Sequence, residues 1–382
     1  MPLDAPVMIA ARCVMLTSFV LARISEGLFD HIGALGRLLA HIGRRLHRMK
    51  QMTRSFIVQL GIILAVGVGV SGCGSSTTSQ GQSGTVQSLP DAGTAKANFP
   101  KASSTSLAKL KAKNQEALVL APSVSVLEAG VNRYGFALFD VARKQTSGAP
   151  AAIYVANRNG TNLRGPFAAR SESLAVAPQY ASKTSSQDPD EAKSVYVADV
   201  PFPKAGRYQV VALVNLDGRI VLSSPFEAQV GTPGGPPKVG ETAPKVHTPT
   251  LDSVAGDAAR ISTRSPAATG LLKDDLFDVY GKRPVALLFA TPALCQSRVC
   301  GPVVDVLEEA RATDKNGSAA YITNEIYKEN RLDRGLRAQP AAYGLPTEPW
   351  LFVLDAQGRV VERIEGAFSL AEVRRAVAKA GG

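Results

Sequence analysis

Residues 231–237 read Gly-Thr-Pro-Gly-Gly-Pro-Pro, a stretch that neither a helix nor a strand crosses. It divides the chain into two parts with different apolar patterns. Upstream, from about 117 to 230, the runs are short and strand-like: Gly135-Phe-Ala-Leu-Phe-Asp140, Ala152-Ile-Tyr-Val-Ala156 and the alternating Ser194-Val-Tyr-Val-Ala-Asp-Val200. Two more, Gly206 to Val214 and Arg219 to Ser223, flank Asn215-Leu-Asp-Gly218 and predict a hairpin. Downstream, residues 246–272 look irregular. Strand and helix patterns then alternate: strand 284–290, helix 302–312, strand 318–323, an irregular stretch with a helix near 332–343, strand 350–354, strand 359–364 and helix 369–379.

Frequent turns and short strands predict that residues 117–230 form an all-β immunoglobulin-like sandwich. This part has no cysteine pair and no catalytic constellation. Phe202-Pro-Lys-Ala-Gly206-Arg-Tyr208 loosely resembles an edge found in exported bacterial sandwich domains, which leaves partner binding and simple spacing both open. After a linker at 231–245, a β-α-β unit, a hairpin and a last helix follow the thioredoxin order. The expected fold class is therefore an α/β thioredoxin-like fold over 246–382, preceded by the sandwich and a disordered N-terminal tether.

The net charge is +11. Residues 1–72 hold 8 Lys/Arg against 3 Asp/Glu, and the rest hold 35 against 29, so nearly half of the excess lies at one end. No basic run interleaved with aromatics marks a nucleic-acid surface. Met49-Lys50-Gln-Met52-Thr-Arg54 is basic, Phe56 to Val70 is fifteen mostly apolar residues, and Val70-Ser71-Gly72-Cys73 follows. Basic, apolar, then small is the order of a secretory signal, and the apolar run is short for a membrane span of ~20 residues. The cysteine after Ser-Gly resembles the lipidation site of bacterial lipoproteins. That resemblance implies a signal peptide over 49–72 and a mature protein anchored by lipid at Cys73, facing the extracytoplasmic side. An uncleaved anchor and an ordinary signal peptide are the blander readings. Residues 1–48 sit oddly before a signal and read as an upstream start, with initiation at Met49 or Met52, or as an amphipathic extension. Residues 73–116 begin as a polar, Ser/Gly/Gln-rich tether, with a turn or two of helix over 106–116.

Setting aside Cys13 in the doubtful extension and Cys73, one pair is left, Cys295 and Cys300. Gly301-Pro302 opens the helix after it, because proline suits the first turn. Free N–H groups and the dipole at a helix N-terminus favour a thiolate, the form that attacks a disulfide. On a regular helix, residues five apart lie ~8 Å apart at ~1.5 Å rise per residue, beyond the ~7 Å reach of a disulfide. A bridge therefore needs a loop or an unwound segment. Glu325 and Glu348 are readable either as proton-transfer carboxylates or as solvated surface charge.

Several motifs carry a family resemblance. Val239-Gly-Glu-Thr-Ala-Pro244 is similar to the opening of peroxiredoxin-like and TlpA-like proteins. Pro349-Trp-Leu-Phe-Val-Leu-Asp355-Ala-Gln-Gly358-Arg-Val360 resembles the signature of TlpA/ResA-type thiol–disulfide oxidoreductases. The likeness covers roughly 239–380. It departs from the usual Cys-x-x-Cys, since Val303 stands where the second cysteine would be. It implies thiol–disulfide exchange through Cys295 and Cys300, with Pro349 a cis-proline facing them, the backbone of Glu348 holding substrate and Trp350 at the site rim or in the core. Partners would be exported protein thiols or disulfides and a membrane or extracytoplasmic redox protein, with no cofactor. Thr291-Pro-Ala-Leu-Cys295 followed by Cys300 also resembles peroxiredoxins of the bacterioferritin-comigratory type, which implies Cys295 as peroxidatic and Cys300 as resolving. A structural disulfide in a non-catalytic binding lipoprotein is a third reading of the pair, and Sco-like copper handling a fourth. Copper handling is poorly served, because His247 is the only histidine after Cys73 and no metal site is expected.

Overall fold

The computed structural model describes residues 98–231, 234–295 and 297–381. The N-terminal extension, the signal segment, Cys73 and most of the tether lie outside them. Among the described residues no helix is long and apolar enough to cross a membrane.

The first half is built on β1 (Glu116–Pro122), β2 (Gly130–Phe139), β3 (Gln145–Thr146), β4 (Ala151–Asn157), β5 (Arg164–Ser173), β6 (Ser194–Phe202), β7 (Gly206–Leu216), β8 (Arg219–Ser223) and β9 (Phe226–Val230). The pairing runs β1-β8-β7-β4-β5-β6-β2 and returns from β2 to β1, closing a seven-stranded barrel. All of these contacts are antiparallel except the parallel β1–β8 pair. Strands β3 and β9 hang on β2 and β7. Ile153, Val155, Phe136, Tyr196, Val210 and Val230 fill the interior. Helix α1 (Leu107–Lys113) covers part of the outside, seating Leu107 and Leu110 on Ala152, Tyr154 and Ala156. That explains why β4 is apolar at consecutive positions: both of its faces are covered.

A four-stranded sheet follows, in the order β11-β10-β12-β13. It comprises β10 (Val285–Phe289), β11 (Ala320–Asn324), β12 (Trp350–Leu354) and β13 (Val360–Glu365), with only β10–β11 parallel. The short helices are α2 (Lys183–Gln187) within the β5–β6 connection, α3 (Leu276–Val279) and α5 (Ala338–Ala342). The two long ones are α4 (Cys300–Thr313) and α6 (Leu370–Lys379). Ala286, Leu288, Leu351 and Val353 face α4 and α6, and outward-pointing Val195 and Val197 of the barrel join the same core. The opposite face, carrying Leu287, Phe289, Trp350 and Phe352, is closed by Ala243, Leu276, Ile326 and Tyr343, so short turns and loop cover it.

The expected fold class is therefore corrected. A closed barrel stands where an immunoglobulin-like sandwich was expected, because β1 pairs with both β2 and β8 and leaves no gap between two sheets. A mixed four-stranded sheet with few helices, sharing a core with the barrel, stands where a thioredoxin-like α/β domain was expected. The described residues all fall within one compact unit.

Candidate functional site

The chain leaves β10 through Ala290 and Thr291, turns over 292–294, and reaches Cys295 before α4 begins at Cys300. The intervening loop meets the requirement set by the spacing: Cys295 and Cys300 are bonded, with Cα atoms 6.0 Å apart. Cys300 is the first residue of α4 and is fully buried, whereas Cys295 is partly exposed. The Cys295 sulfur lies 3.2 Å from Ser297 Oγ.

One carboxylate, Glu348, stands beside the pair, and a second, Glu325, lies close enough to Glu348 to act on its charge. Glu348 Oε2 lies 3.9 Å from Cys300 Sγ, and Glu348 Oε1 accepts a 3.4 Å bond from Tyr327. Glu348 is half-buried, and loss of water, then the nearby Glu325 charge, pushes its carboxyl up to about 7. Glu325, just past the end of β11, is buried. It accepts the Thr291 hydroxyl at 2.5 Å and the Thr263 amide and hydroxyl at 2.5 and 2.9 Å. Burial raises its pKa, opposed by those hydrogen bonds and by Arg337. Burial and Glu348 likewise raise the Tyr327 phenol. The reading of Glu325 as solvated surface charge is thus overturned, since tertiary contacts from residues 263 and 291 enclose it, whereas Glu348 is half-buried.

The other expected site residues divide. The Glu348–Pro349 peptide is cis, and Pro349 O accepts the Gly366 amide at 2.9 Å. Trp350 is 1% exposed on the face of β12 opposite to that of Leu351, stacked on Phe352 and donating to Thr347 Oγ1 at 3.0 Å. It belongs to the core that Cys300 does not share. His247 is bonded to Asp275 at 2.6 Å and stacks on Phe277. Among the described residues no cluster of three metal-ligating side chains occurs.

Sequence reading missed the barrel's part in the site. Residues 174–193, between β5 and β6, wrap the start of α4. Ser182 N donates to Asp305 Oδ2 at 2.9 Å, and Ala192 N donates to Arg298 O at 3.2 Å. Arg298 also pairs with Asp188 and Asp190 at 3.3 and 3.1 Å. Fully enclosed Asp305 accepts Arg264 Nε at 2.7 Å. An apolar-looking helix with a lone Asp305 on its buried side was the available signal, since such a charge needs a partner.

No protein-family model matches the chain, and no curated protein is similar to it. Among solved structures, a thioredoxin-family thiol:disulfide interchange protein from Chlorobium tepidum TLS is similar at 18% identity and a TM-score of 0.25, over 40% of this chain and all of that protein. A TM-score that low carries no weight for fold or function.

Proposed function

We propose that the chain exchanges thiols and disulfides through Cys295 and Cys300. The observation that carries this reading is a bonded pair with one partly exposed cysteine and one buried at a helix N-terminus, beside a carboxyl pushed up to about 7. A substrate thiolate attacks Cys295 Sγ, the sulfur that a partner reaches. The Cys295–Cys300 bond breaks, a substrate–Cys295 disulfide forms, and the electron pair leaves on Cys300. The free N–H groups and dipole of α4 stabilise that leaving thiolate, and neutral Glu348 supplies its proton. A second thiolate of the substrate then attacks the substrate sulfur of the mixed disulfide. Cys295 is released as a thiolate, which takes a proton from water, and the substrate leaves oxidised by two electrons. Run in reverse, the same steps reduce a substrate disulfide.

Its place at the helix N-terminus alone would favour Cys300 as the attacking sulfur, but burial reassigns it to the leaving and resolving role. The peroxidase reading gains no support: Thr291 is fully buried and its hydroxyl is committed to Glu325. In line with the signal pattern in the sequence, the proposed setting is extracytoplasmic, lipid-anchored through Cys73, with exported thiol proteins as partners.

The test is trapping. Cys300→Ser is expected to accumulate mixed disulfides at Cys295 in cells, and Cys295→Ser to trap few or none. If neither variant traps a partner the proposal fails, and a wild-type pair that also resists millimolar dithiothreitol while folded is a structural disulfide.

A further inference from the structure

The segment of the barrel that wraps α4 brings a further carboxylate to the pair. Glu191 lies in Asp188-Pro-Asp-Glu191, between α2 and β6. It is 5% exposed, and among the described residues its side chain makes no hydrogen bond. Its Oε1 would lie only 2.7 Å from a Cβ placed on Gly301, the residue after Cys300 in the first turn of α4. Glycine at 301 is what allows the carboxylate so close to the helix. The carboxylate oxygens keep some contact with solvent, so the side chain packs on the first turn of α4 without being sealed off there.

We propose that Glu191 is a positioning residue that sets the acidity of the Cys300 thiol, and with it the redox poise of the pair. The inference rests on the exchange reading above and concerns the regulation of that site. When ionised, Glu191 takes up the positive end of the α4 dipole that the Cys300 thiolate also needs. Two negative groups at one helix N-terminus oppose each other, so Glu191 raises the Cys300 thiol and favours the disulfide. Burial and then the Asp188 charge push the Glu191 carboxyl up to about 7, with Lys193 and Arg298 opposing and Asp305 adding. Asp305 is ion-paired with Arg264, and Glu348 is the further carboxylate on the Cys300 sulfur. The opposition therefore strengthens as Glu191 loses its proton around neutral pH.

The experiment equilibrates the full chain with dithiothreitol or glutathione buffers and reads the 295/300 pair by peptide mass, from pH 6 to pH 8. In Glu191→Gln the equilibrium constant for reduction is expected to rise about tenfold at the upper end of that range, or about 30 mV for a two-electron couple. Gly301→Ala pushes the carboxylate off the helix and is expected to shift the pair in the same direction. The double variant is expected to show no further shift, because both changes remove one interaction. An unchanged or lowered constant in Glu191→Gln overturns the inference, as does full additivity in the double variant. Mixed-disulfide trapping separates the two ideas. A Glu191→Gln shift without any trapped partner sinks the exchange reading alone, and trapping without the shift sinks only this one.

Discussion

Replacing Glu348 with Gln is expected to make the oxidised protein more stable and slower at once. The ordinary carboxyl value of 4.5 and the site value of about 7 differ by ~3 kcal/mol at ~1.4 kcal/mol per pH unit. Glu348 is half-buried, and solvent screening reduces this to ~1–2 kcal/mol. The sign follows from linkage. Below pH 4.5 the carboxyl is neutral both folded and unfolded, and its charge costs nothing. Between 4.5 and about 7 the unfolded chain ionises first, so the wild type loses stability as pH rises. Above about 7 the folded state carries the buried charge and the cost is complete. Gln resembles the neutral form at every pH, so the variant matches the wild type in acid and exceeds it by ~1–2 kcal/mol in alkali. Urea denaturation from pH 4 to pH 8 measures that difference as a shift of midpoint at constant slope. The rate at which dithiothreitol opens the folded disulfide is expected to fall by up to ~100-fold, because the proton donor to Cys300 is gone. A variant with unchanged pH-dependent stability and an unchanged opening rate would falsify the role given to Glu348.

Three further changes probe the scaffold. Asp305→Ala leaves Arg264 buried and unpaired and is expected to cost ~3–5 kcal/mol in urea denaturation; a loss below ~1 kcal/mol would mean that water reaches the pair. Ser369→Ala removes the cap of α6, whose side chain accepts Glu372 N at 3.2 Å within a capping box and donates to Glu172 at 2.7 Å, so a loss of at least ~1 kcal/mol is expected. Gly366→Ala places a side chain at φ +79° and against Ser123 O of the barrel. It is expected to cost at least ~1–3 kcal/mol, and a neutral result in thermal melting would show that the barrel and sheet part there without penalty.

The strands that sequence exposes are those whose two faces have simple surroundings. Residues 350–354 were legible to the residue, since Pro349 and Asp355 bound an unbroken apolar run and both sheet faces are covered. Strand β5 was not, because Arg170 forms ion pairs with both Glu172 and Glu372, and these charges erase the apolar alternation. Closure of the barrel was illegible for a different reason. It depends on β1 pairing with β8, about a hundred residues away in sequence, and no local pattern records that. The disulfide was legible from cysteine counting, and the loop that permits it from the spacing. Glu191 was not, and Glu325 could be named in the sequence only with two alternatives open, since each acquires its burial from a distant segment, the start of α4 for one and Thr263 and Thr291 for the other.

These misses share a physical cause that bears on how the pair works. The barrel does not simply hold the second sheet at a distance. Val195 and Val197 alternate along β6 with Tyr196 and Ala198, sending one set into the sheet's core and the other into the barrel. Arg133 joins β2 to Glu372 of α6 at 2.8 Å, and Ser125 joins the β1–β2 connection to Glu365 at 2.7 Å. Ser182 and Ala192 hold α4 and the loop before it. The loop between Cys295 and Cys300 carries Arg298, which residues 188–192 of the barrel segment grip, so a redox change that displaces Arg298 works against those contacts. Packed interfaces resist small continuous displacement, so opening the disulfide is opposed by barrel contacts as well as by the bond itself. The barrel thereby belongs to the energetics of the cysteine pair.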